Sequence, residues 1–332
     1  MAKLNKPNWL IWDKILVILG PTAVGKTDLA VKLAKKFGGE LIAADSRQVY
    51  CGLDIGTGKY SPGDKFKKFS GKWLLNDVAI LGYDLIEPGK QFTAADFAKF
   101  FWKTVPKIWA KNKLPILVGG TGFYIKAALS GFETLGIPLN LKLRKELGKF
   151  SVAKLFQKLL KIDPKKANSL FPSDKRNSRR LIRAIEVATY LKNHPQFVLM
   201  YPYIGKSEID VLKIGLNCPR KVLYYRIDQR VDERIELGLI DEVKKLLKKG
   251  IKADRLKEFG LEYRFLTQFV LVELKKEEAI SELKFAIHDF SRRQLTWFKK
   301  EKDIFWFDIT DKNYYQEVEK MVGKWYSYQI KN

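Results

Sequence analysis

Apolar runs of strand length recur along the N-terminal part of the chain, each followed by a longer segment of mixed character. The runs are apolar almost throughout, a pattern typical of parallel strands that are buried on both faces. Strands are therefore predicted at Ile15–Leu19, Glu40–Ser46, Val78–Ile86 and Leu114–Gly122. Because strands alternate with helical segments, the pattern predicts an α/β fold with a parallel sheet flanked by helices.

The segments between these strands have helical periodicity and recognisable ends. The first predicted helix, Thr27–Phe37, closes at a Gly-Gly pair. A second helix begins after Thr93, which can cap it, and Pro106 is expected to kink or break it. A third helix follows the strand that ends at Gly122.

The pattern changes after this third helix, where charged segments of helical period are separated by Pro or Ser. Strand character returns at Val211–Cys218, followed by one or two long helices, a further helix and a closing strand at Ile304–Ile309. We therefore expect a core domain formed by residues 10–135 and 205–315, with a small helical insertion domain at residues 136–204.

The charge balance favours a polyanionic partner. The chain has 62 Lys and Arg against 37 Asp and Glu, a formal net charge of +25. Such an excess creates a broad positive potential that attracts nucleic acid, although a lysine-rich surface that reflects genome composition would give the same count. Charge alone therefore suggests a partner without naming it.

Cysteine and histidine usage narrows the possible chemistry. The two cysteines, Cys51 and Cys218, make a disulfide framework implausible, and the two histidines, His194 and His288, make a Cys/His zinc cluster equally so. No stretch approaches the length of a membrane span, and the start has no long apolar signal region. We expect a cytoplasmic protein.

The segment GPTAVGKT carries the most specific chemical signal. It lies between the first strand and the first helix, the context in which G-x-x-x-x-G-K-[ST] cradles phosphate. The backbone N–H groups and the Lys26 ammonium face the anion, and the Thr27 hydroxyl suits Mg²⁺. The predicted cradle consists of Gly20, Pro21, Thr22, Ala23, Val24, Gly25, Lys26 and Thr27. The motif leaves open which phosphate compound binds.

Two further polar positions follow predicted strands and should meet the cradle at the same sheet edge. Asp45 can bind Mg²⁺ or accept a proton from a nucleophile, but it can also cap the segment that follows. Thr121, in the turn GGTGFY, offers a hydroxyl beside the cradle, although this turn alone is a weak signal.

Basic residues recur in three later segments. Arg226 and Arg230 lie four residues apart on one predicted helix face and can clamp a diphosphate, although a solvated face paired with nearby acids is the more usual explanation for such a pattern. The segments RRLIRAIEV and SRRQLTWFKK combine arginines with apolar residues. They suit RNA phosphates and bases, or amphipathic helices with an apolar buried face.

Together, seven segments resemble the tRNA dimethylallyltransferases, the isopentenyl transferases that modify adenosine next to the anticodon. They are GPTAVGKTDLA, ELIAADSRQVYCGLDIGTGK, FTAADF, PILVGGTGFYIKAAL, RRLIRAIEV, YRIDQRVDERIELGLIDEVKKL and RRQLTWFKK, in that order. The resemblance covers nearly the whole chain and implies a P-loop NTPase-like core. The chain reads GTGK where the family commonly reads GTAK.

The resemblance implies transfer of a dimethylallyl group from dimethylallyl diphosphate to N6 of that adenosine, in tRNAs that read codons starting with U. The cradle, Arg226 and Arg230 would hold the diphosphate, with Mg²⁺ on Thr27. Asp45, Thr121, Arg230 and Lys26 would be the catalytic residues. The tRNA contacts that it implies are Asp45, Ser46, Arg47, Gln48, Thr121, Arg144, Arg179, Arg180, Leu181, Ile182, Arg183, Arg293, Gln294 and Trp297. A monomer suffices for this chemistry.

Three alternatives share part of this pattern. An isopentenyl transferase that acts on free adenine nucleotides would use the same cradle, but it needs no basic helical insertion. A small-molecule P-loop kinase would use the same motif with ATP, and the other six segments argue against it. A nucleic-acid-binding module with an inactive loop would not be expected to keep Gly25, Lys26, Thr27 and Asp45.

Overall fold

The computed structural model describes residues 14–69, 71–131, 134, 136–196 and 209–327. The chain divides into two compact units. The first comprises Met1–Leu129 together with Lys206–Asn332, and the second is Ser130–Gly205.

The first unit is built on one eight-stranded sheet with the strand order β3-β4-β5-β2-β6-β1-β7-β8. The strands are β1 (Lys14–Leu19), β2 (Gly39–Ala43), β3 (Phe66–Phe69), β4 (Lys72–Leu75), β5 (Val78–Leu81), β6 (Leu114–Gly119), β7 (Asp210–Asn217) and β8 (Ile304–Asp308). All neighbouring strands pair in parallel except β3 with β4 and β4 with β5. The expected parallel sheet is therefore confirmed.

The central strands are apolar because helices cover both faces of the sheet. Every residue of β1 and β6 is buried. β1 lies between β6 and β7, with Leu16 opposite Ile116 and Leu212. The carboxyl ends of β1, β2 and β6 therefore reach the same edge of the sheet, which places the turns that follow them side by side.

Nine described helices belong to the first unit. They are α1 (Lys26–Phe37), α2 (Ala94–Trp109), α3 (Gly122–Leu129), α9 (Arg220–Glu236), α10 (Leu239–Lys248), α11 (Ala253–Lys257), α12 (Leu261–Val270), α13 (Lys276–Phe298) and α14 (Tyr314–Ser327), the numbering following the order along the whole chain. The predicted cap is present on α2, where the Thr93 side chain and Asp96 form a reciprocal capping box.

Helix α2 continues through Pro106 and ends three residues later. Of the kink or break expected at this proline, the break is therefore wrong and the kink stays a prediction. Proline removes one backbone donor from a helix, but near the end of a helix few further bonds depend on it. Val105 and Ile108, on either side of the ring, are fully buried and hold this last turn against the core.

The sequence analysis did not anticipate the β3–β4 hairpin or the helices α11, α12 and α14. Strand β3 has no alternating pattern, because all four of its residues are exposed, and only its partner β4 alternates between buried and half-buried positions. Helix α14 lies beyond the last predicted strand. Its Val318 and Val322, one turn apart, are both fully buried, so it completes the covering of the sheet near α1 and β7.

The second unit is helical, as expected for the insertion. Its described helices are α4 (Leu141–Leu147), α5 (Val152–Ile162), α6 (Pro164–Ser169), α7 (Pro172–Lys175) and α8 (Ser178–Asn193). Leu155, Leu159, Leu181 and Ile185 are fully buried and form the small core between α5 and α8. The limits of a functional insertion domain remain a prediction.

Among the residues that the structure describes, no helix combines the length and the apolar character needed to cross a membrane.

Candidate active site

A cavity of about 850 Å³ opens at the carboxyl ends of β1, β2 and β6 in the first unit. The phosphate-cradle segment, the turn after β2 and the turn after β6 all line it. Helices α9 and α13 supply further lining residues, among them Arg226, Arg230 and Gln294. Segments that are far apart in the sequence therefore meet around one space, as the parallel sheet predicted.

The cradle takes the form that its glycines require. Gly20 has φ +142°, and a Cβ atom there would collide with the carbonyl oxygen of Leu216 on β7. Gly25 has φ +78° and immediately precedes α1, which runs for twelve residues from Lys26. The first turn of a helix has unpaired N–H groups and a partial positive charge, so this loop presents donors to an anion.

The Lys26 side chain folds back onto the cradle, where its Nζ donates to the carbonyl of Pro21. Burial, together with the positive charge of Arg230, lowers the pKa of Lys26 to about 7, and the charge of Asp45 only partly opposes this. Its surroundings therefore disfavour the charged ammonium form. A bound anion would favour that form again and would raise the pKa.

Arg226 and Arg230 reach the cradle from α9. Arg226 Nε donates to the carbonyl of Ala23 at 2.7 Å, and Arg230 Nη1 donates to Thr22 Oγ1 at 2.9 Å. Within the described part of the chain, neither guanidinium forms an ion pair. Two acids of the same helix have other partners, since Asp228 contacts His288 and Asp232 contacts Lys284. The two arginines are thus available for an anion in the cavity.

Asp45 and Thr121 lie in the turns that follow β2 and β6, and both line the cavity. Asp45 Oδ1 accepts the N–H groups of Arg47 at 2.8 Å and Gln48 at 3.4 Å, which fixes a turn and leaves Oδ2 for other contacts. Thr121 Oγ1 accepts from the N–H of Ser46 at 3.3 Å. The two predicted residues are therefore joined through one short turn.

The segment SRRQLTWFKK lies at the end of α13 and divides into inward and outward positions. Arg293 is exposed and lines the cavity. Gln294 is 8% exposed and hydrogen-bonds the backbone on both sides. The Trp297 ring packs against Gly122, where a Cβ atom would collide with it. The predicted tRNA contacts in this segment thus differ in how accessible they are.

The predicted tRNA contacts in the second unit also divide. Arg144 and Arg183 both bind Glu186, and Arg183 also donates to two backbone carbonyls. Arg179 and Arg180 are exposed, the latter paired with Asp174, and Ile182 is half-buried. Leu181 is fully buried in the unit's core, so its side chain cannot contact tRNA in this structure and that expectation is corrected.

Sequence reasoning missed the support of the loop Asp54–Lys59, of which residues 56–59 line the cavity. The Glu242 carboxylate on α10 accepts the N–H groups of Asp54, Ile55 and Gly56 at 2.8–3.1 Å, and the Tyr263 hydroxyl donates to it at 2.7 Å. No local sequence pattern predicts this set of hydrogen bonds, because the partners come from three separate parts of the chain. The family-like segment around residue 242 was the nearest available signal.

This loop in turn shapes the space for the arginine clamp. Gly58 has φ +64°, and a Cβ atom there would collide with the guanidinium groups of Arg230 and Arg234. Arg234 itself is structural: it is buried, pairs with Glu262 at 2.6 Å and donates to the carbonyl of Gly56. Of the three arginines on this face of α9, Arg226 and Arg230 are therefore candidates for binding the ligand, and Arg234 holds the loop in place.

The donor set near the cradle fits a cation that is shared with a phosphate ligand. Thr27, Asp28 and Asp45 all line the cavity. Among the described residues, no group of three or more His, Cys, Asp or Glu could form a complete protein cage. Mg²⁺ commonly binds through one or two protein oxygens together with substrate phosphates and water, which this arrangement allows.

Comparison with known proteins gives a consistent result. The family model described as IPP transferase matches residues 48–301. A tRNA dimethylallyltransferase of Halothermothrix orenii is 40% identical over 321 residues, covering 92% of each chain. A tRNA dimethylallyltransferase 1 of Geotalea uraniireducens is 38% identical over 286 residues, covering 86% of this chain and 88% of that protein.

Solved structures agree with the sequence comparison. The tRNA isopentenylpyrophosphate transferase of Bacillus halodurans is 35% identical and superposes with a TM-score of 0.67, covering 96% of this chain and 98% of its own. A eukaryotic dimethylallyltransferase at 24% identity shares the fold, with a TM-score of 0.75. The expected P-loop NTPase-like fold class is thereby confirmed. The chain belongs to the IPP transferase family.

Proposed function

We propose that this protein transfers the dimethylallyl group of dimethylallyl diphosphate to N6 of adenosine next to the anticodon of tRNA, releasing diphosphate. One observation carries the proposal: a single cavity contains the cradle cations Lys26 and Arg230 together with the Asp45 carboxylate. The relatives' names and the net charge of +25 support the same assignment.

The cradle side of the cavity serves the leaving group. As the allylic C1–O bond breaks, negative charge grows on the diphosphate. Fixed donors aimed at that charge stabilise the transition state more than the ground state. Lys26, Arg226, Arg230 and the N–H groups at the start of α1 supply such donors. In the proposed reaction the adenine amine attacks carbon, so the allylic C1–O bond breaks and the diphosphate leaves intact, without transfer of a phosphoryl group.

The Asp45 side of the cavity serves the acceptor. The exocyclic amine of adenine attacks C1, and it must lose a proton as the N–C bond forms. Asp45 Oδ1 is engaged by the N–H groups of Arg47 and Gln48, so Oδ2 accepts this proton as a general base. Thr121 then orients the amine beside it. The adenine must leave its stack to reach the strand ends, so base flipping is expected.

A divalent cation, proposed to be Mg²⁺, would be held by Thr27 and the diphosphate oxygens. When bound, it neutralises charge that develops on the leaving group. The protein residues determine where that charge is placed, because the cradle N–H groups and Arg230 fix the diphosphate within the cavity.

The exposed arginines favour tRNA over a free nucleotide as the acceptor. Arg47 and Arg293 line the cavity, and Arg179 is exposed on the helical unit. A mononucleotide offers only one phosphate group, whereas an RNA loop offers a phosphate at every nucleotide. We propose that the protein acts as a monomer in the cytoplasm.

The test is an incubation with Mg²⁺ and dimethylallyl diphosphate, with unmodified tRNA in one tube and AMP in another, followed by nucleoside mass analysis. We expect N6-dimethylallyladenosine from the digested tRNA and none from AMP. Product from AMP alone would reassign the protein to the isopentenyl transferases of free nucleotides. No prenylated product in either tube would overturn the proposal.

A further inference from the structure

Two hydrogen bonds join Gln294 to both halves of the candidate active site. Its Oε1 accepts the backbone N–H of Thr22 at 3.0 Å, and its Nε2 donates to the carbonyl of Gly120 at 2.8 Å. The side chain is 8% exposed, so water competes little for these bonds. One amide therefore connects the cradle with the turn Gly119–Gly122, an arrangement that we call the Gln294 bridge.

The surroundings hold this bridge in one position. A Cβ atom on Gly120 would lie 2.5 Å from Gln294 Nε2, so the amide rests directly on the backbone. One turn further along α13, the Trp297 ring packs against Gly122 in the same way. The two side chains lie on one face of the helix, which fits α13 to the glycine-rich turn.

Both ends of the bridge continue through hydrogen bonds to the reacting groups. On the cradle side, Thr22 Oγ1 accepts from Arg230 at 2.9 Å. On the other side, Gly120 precedes Thr121, whose Oγ1 accepts from the N–H of Ser46, the residue after Asp45. A path of hydrogen bonds and covalent bonds therefore runs from the diphosphate clamp to the general base.

We propose that Gln294 is a positioning residue that sets the distance between the diphosphate cradle and the acceptor turn during prenyl transfer. This inference rests on the proposed function. Displacement at carbon requires the nitrogen, C1 and the leaving oxygen to be aligned, and a misplacement of about 1 Å can cost about 100-fold in rate. The resemblance had implied that Gln294 contacts tRNA, whereas both polar ends of its side chain are used within the protein.

The first experiment replaces the amide with a similar apolar shape, Gln294→Leu, and measures steady-state kinetics with both substrates. We expect kcat to fall about 10- to 100-fold, because the two half-sites lose their fixed spacing. The KM for tRNA should change by less than about threefold, since no tRNA contact is removed. Ser281→Ala, at an exposed position of the same helix outside the segment SRRQLTWFKK, is the matched control and should leave both constants unchanged.

A second variant tests the hydrogen bonds themselves. In Gln294→Glu, a carboxylate oxygen can still accept from Thr22, but it repels the Gly120 carbonyl until it is protonated. Burial beside a carbonyl raises the pKa of that carboxyl, so protonation restores the missing donor. The ratio of its kcat to that of the wild type should therefore rise as the pH is lowered from about 8 to about 6.

The outcomes separate the possible roles. A normal kcat for Gln294→Leu with a raised KM for tRNA would make Gln294 a tRNA contact and overturn the proposal. A pH-independent loss in Gln294→Glu, equal to that of the Leu variant, would indicate packing alone and overturn it as well. If the wild-type protein does not prenylate tRNA, the proposed function itself is wrong. If the wild type prenylates tRNA and Gln294→Leu has the same kcat, the proposed function stands and only the positioning role of Gln294 is overturned.

Discussion

At the level of single residues, Asp45 combines two roles that its substitutions can separate. Its Oδ1 holds the turn by accepting from Arg47, whereas proton transfer requires a carboxylate. Asp45→Asn keeps an oxygen for the turn and removes the base. We expect kcat to fall by a factor of about 10² to 10⁴, with both KM values nearly unchanged. Single-turnover rates with saturating substrates measure this loss.

The control for Asp45→Asn is Asp77→Asn, the same exchange at an exposed position between β4 and β5, which should retain the full activity. A kcat for Asp45→Asn close to that of the wild type would remove Asp45 from the mechanism.

Lys26 gives a prediction about proton uptake. In the free protein its pKa is lowered to about 7, so at about pH 8 the amine is mostly neutral. A bound diphosphate favours the ammonium form, and binding should therefore draw a proton onto Lys26 at this pH. Titration calorimetry of diphosphate in buffers of different ionisation enthalpy should show more proton uptake for the wild type than for Lys26→Met. Equal uptake in the two proteins would contradict the assignment.

The site residues that the sequence identified share one property: each can be recognised from its immediate neighbours in the chain. Lys26 and Thr27 belong to a contiguous motif, and Asp45 directly follows a buried strand. The role of Gln294 could not be predicted in this way, because it depends on a contact with Thr22, 272 positions away in the sequence. The same holds for Glu242, whose partners become neighbours only when α10 packs near the loop after Tyr50.

At the level of elements, the loop Asp54–Lys59 should depend on Glu242. Removal of this carboxylate in Glu242→Ala leaves three backbone N–H groups and the Tyr263 hydroxyl without their acceptor. We expect the free energy of unfolding to fall by about 2–4 kcal/mol, as measured by denaturant titration. The KM for dimethylallyl diphosphate should also rise, because Gly58 of this loop lies against Arg230.

Glu236→Ala, at an exposed position on α9, provides the comparison for Glu242→Ala. A change below about 0.5 kcal/mol in Glu242→Ala, similar to that of an ordinary surface substitution, would show that the loop does not need this anchor.

In the helical unit, Glu186 makes the stability depend on pH. Burial opposes its charge, but hydrogen bonds from Arg144, Arg183 and the N–H of Asn140 outweigh this and lower the pKa from 4.5 to about 2. Because the folded pKa is depressed, the stabilisation is complete above about pH 4.5 and is lost as the pH falls towards about 2.

The corresponding measurement is thermal unfolding of the full chain between about pH 5 and about pH 3, where Glu186→Gln should show a smaller loss of stability than the wild type. Glu146→Gln, at an exposed position, should follow the wild type. Parallel curves for wild type and Glu186→Gln would refute this origin of the acid sensitivity.

The elements that could be predicted are those with a continuous apolar run or a helical period. Buried strands and capped helices appear in the hydrophobic pattern, so the sheet core was found. The β3–β4 hairpin was not found, because β3 has no buried positions between which exposed ones could alternate. Even Phe66 and Phe69 are exposed on this strand. Likewise, Pro106 was over-interpreted, since burial of its neighbours outweighed the loss of one helical donor.

At the level of the whole molecule, the net charge of +25 should make tRNA binding strongly dependent on salt. Arg179→Glu replaces one exposed cation on α8 with an anion. We expect weaker tRNA binding, more so at low salt than at high salt, and a slope of log Kd against log salt that is smaller by about one.

Lys35→Glu, exposed on α1, makes the same change of charge at a position that no motif assigns to tRNA. If both variants weaken tRNA binding equally, the charge acts through the overall field of the molecule and Arg179 makes no specific contact.

The central claim is that the cradle holds a leaving diphosphate and that a carbon group, not a phosphoryl group, is transferred. The most direct test incubates the wild-type protein with dimethylallyl diphosphate, Mg²⁺ and unmodified tRNA. It measures the released phosphorus compounds and the modified nucleosides in the same reaction. The account predicts equal amounts of inorganic diphosphate and N6-dimethylallyladenosine, with no phosphorylated product when ATP replaces the prenyl donor. Phosphate transfer from ATP to an acceptor, without prenylation of tRNA, would contradict it.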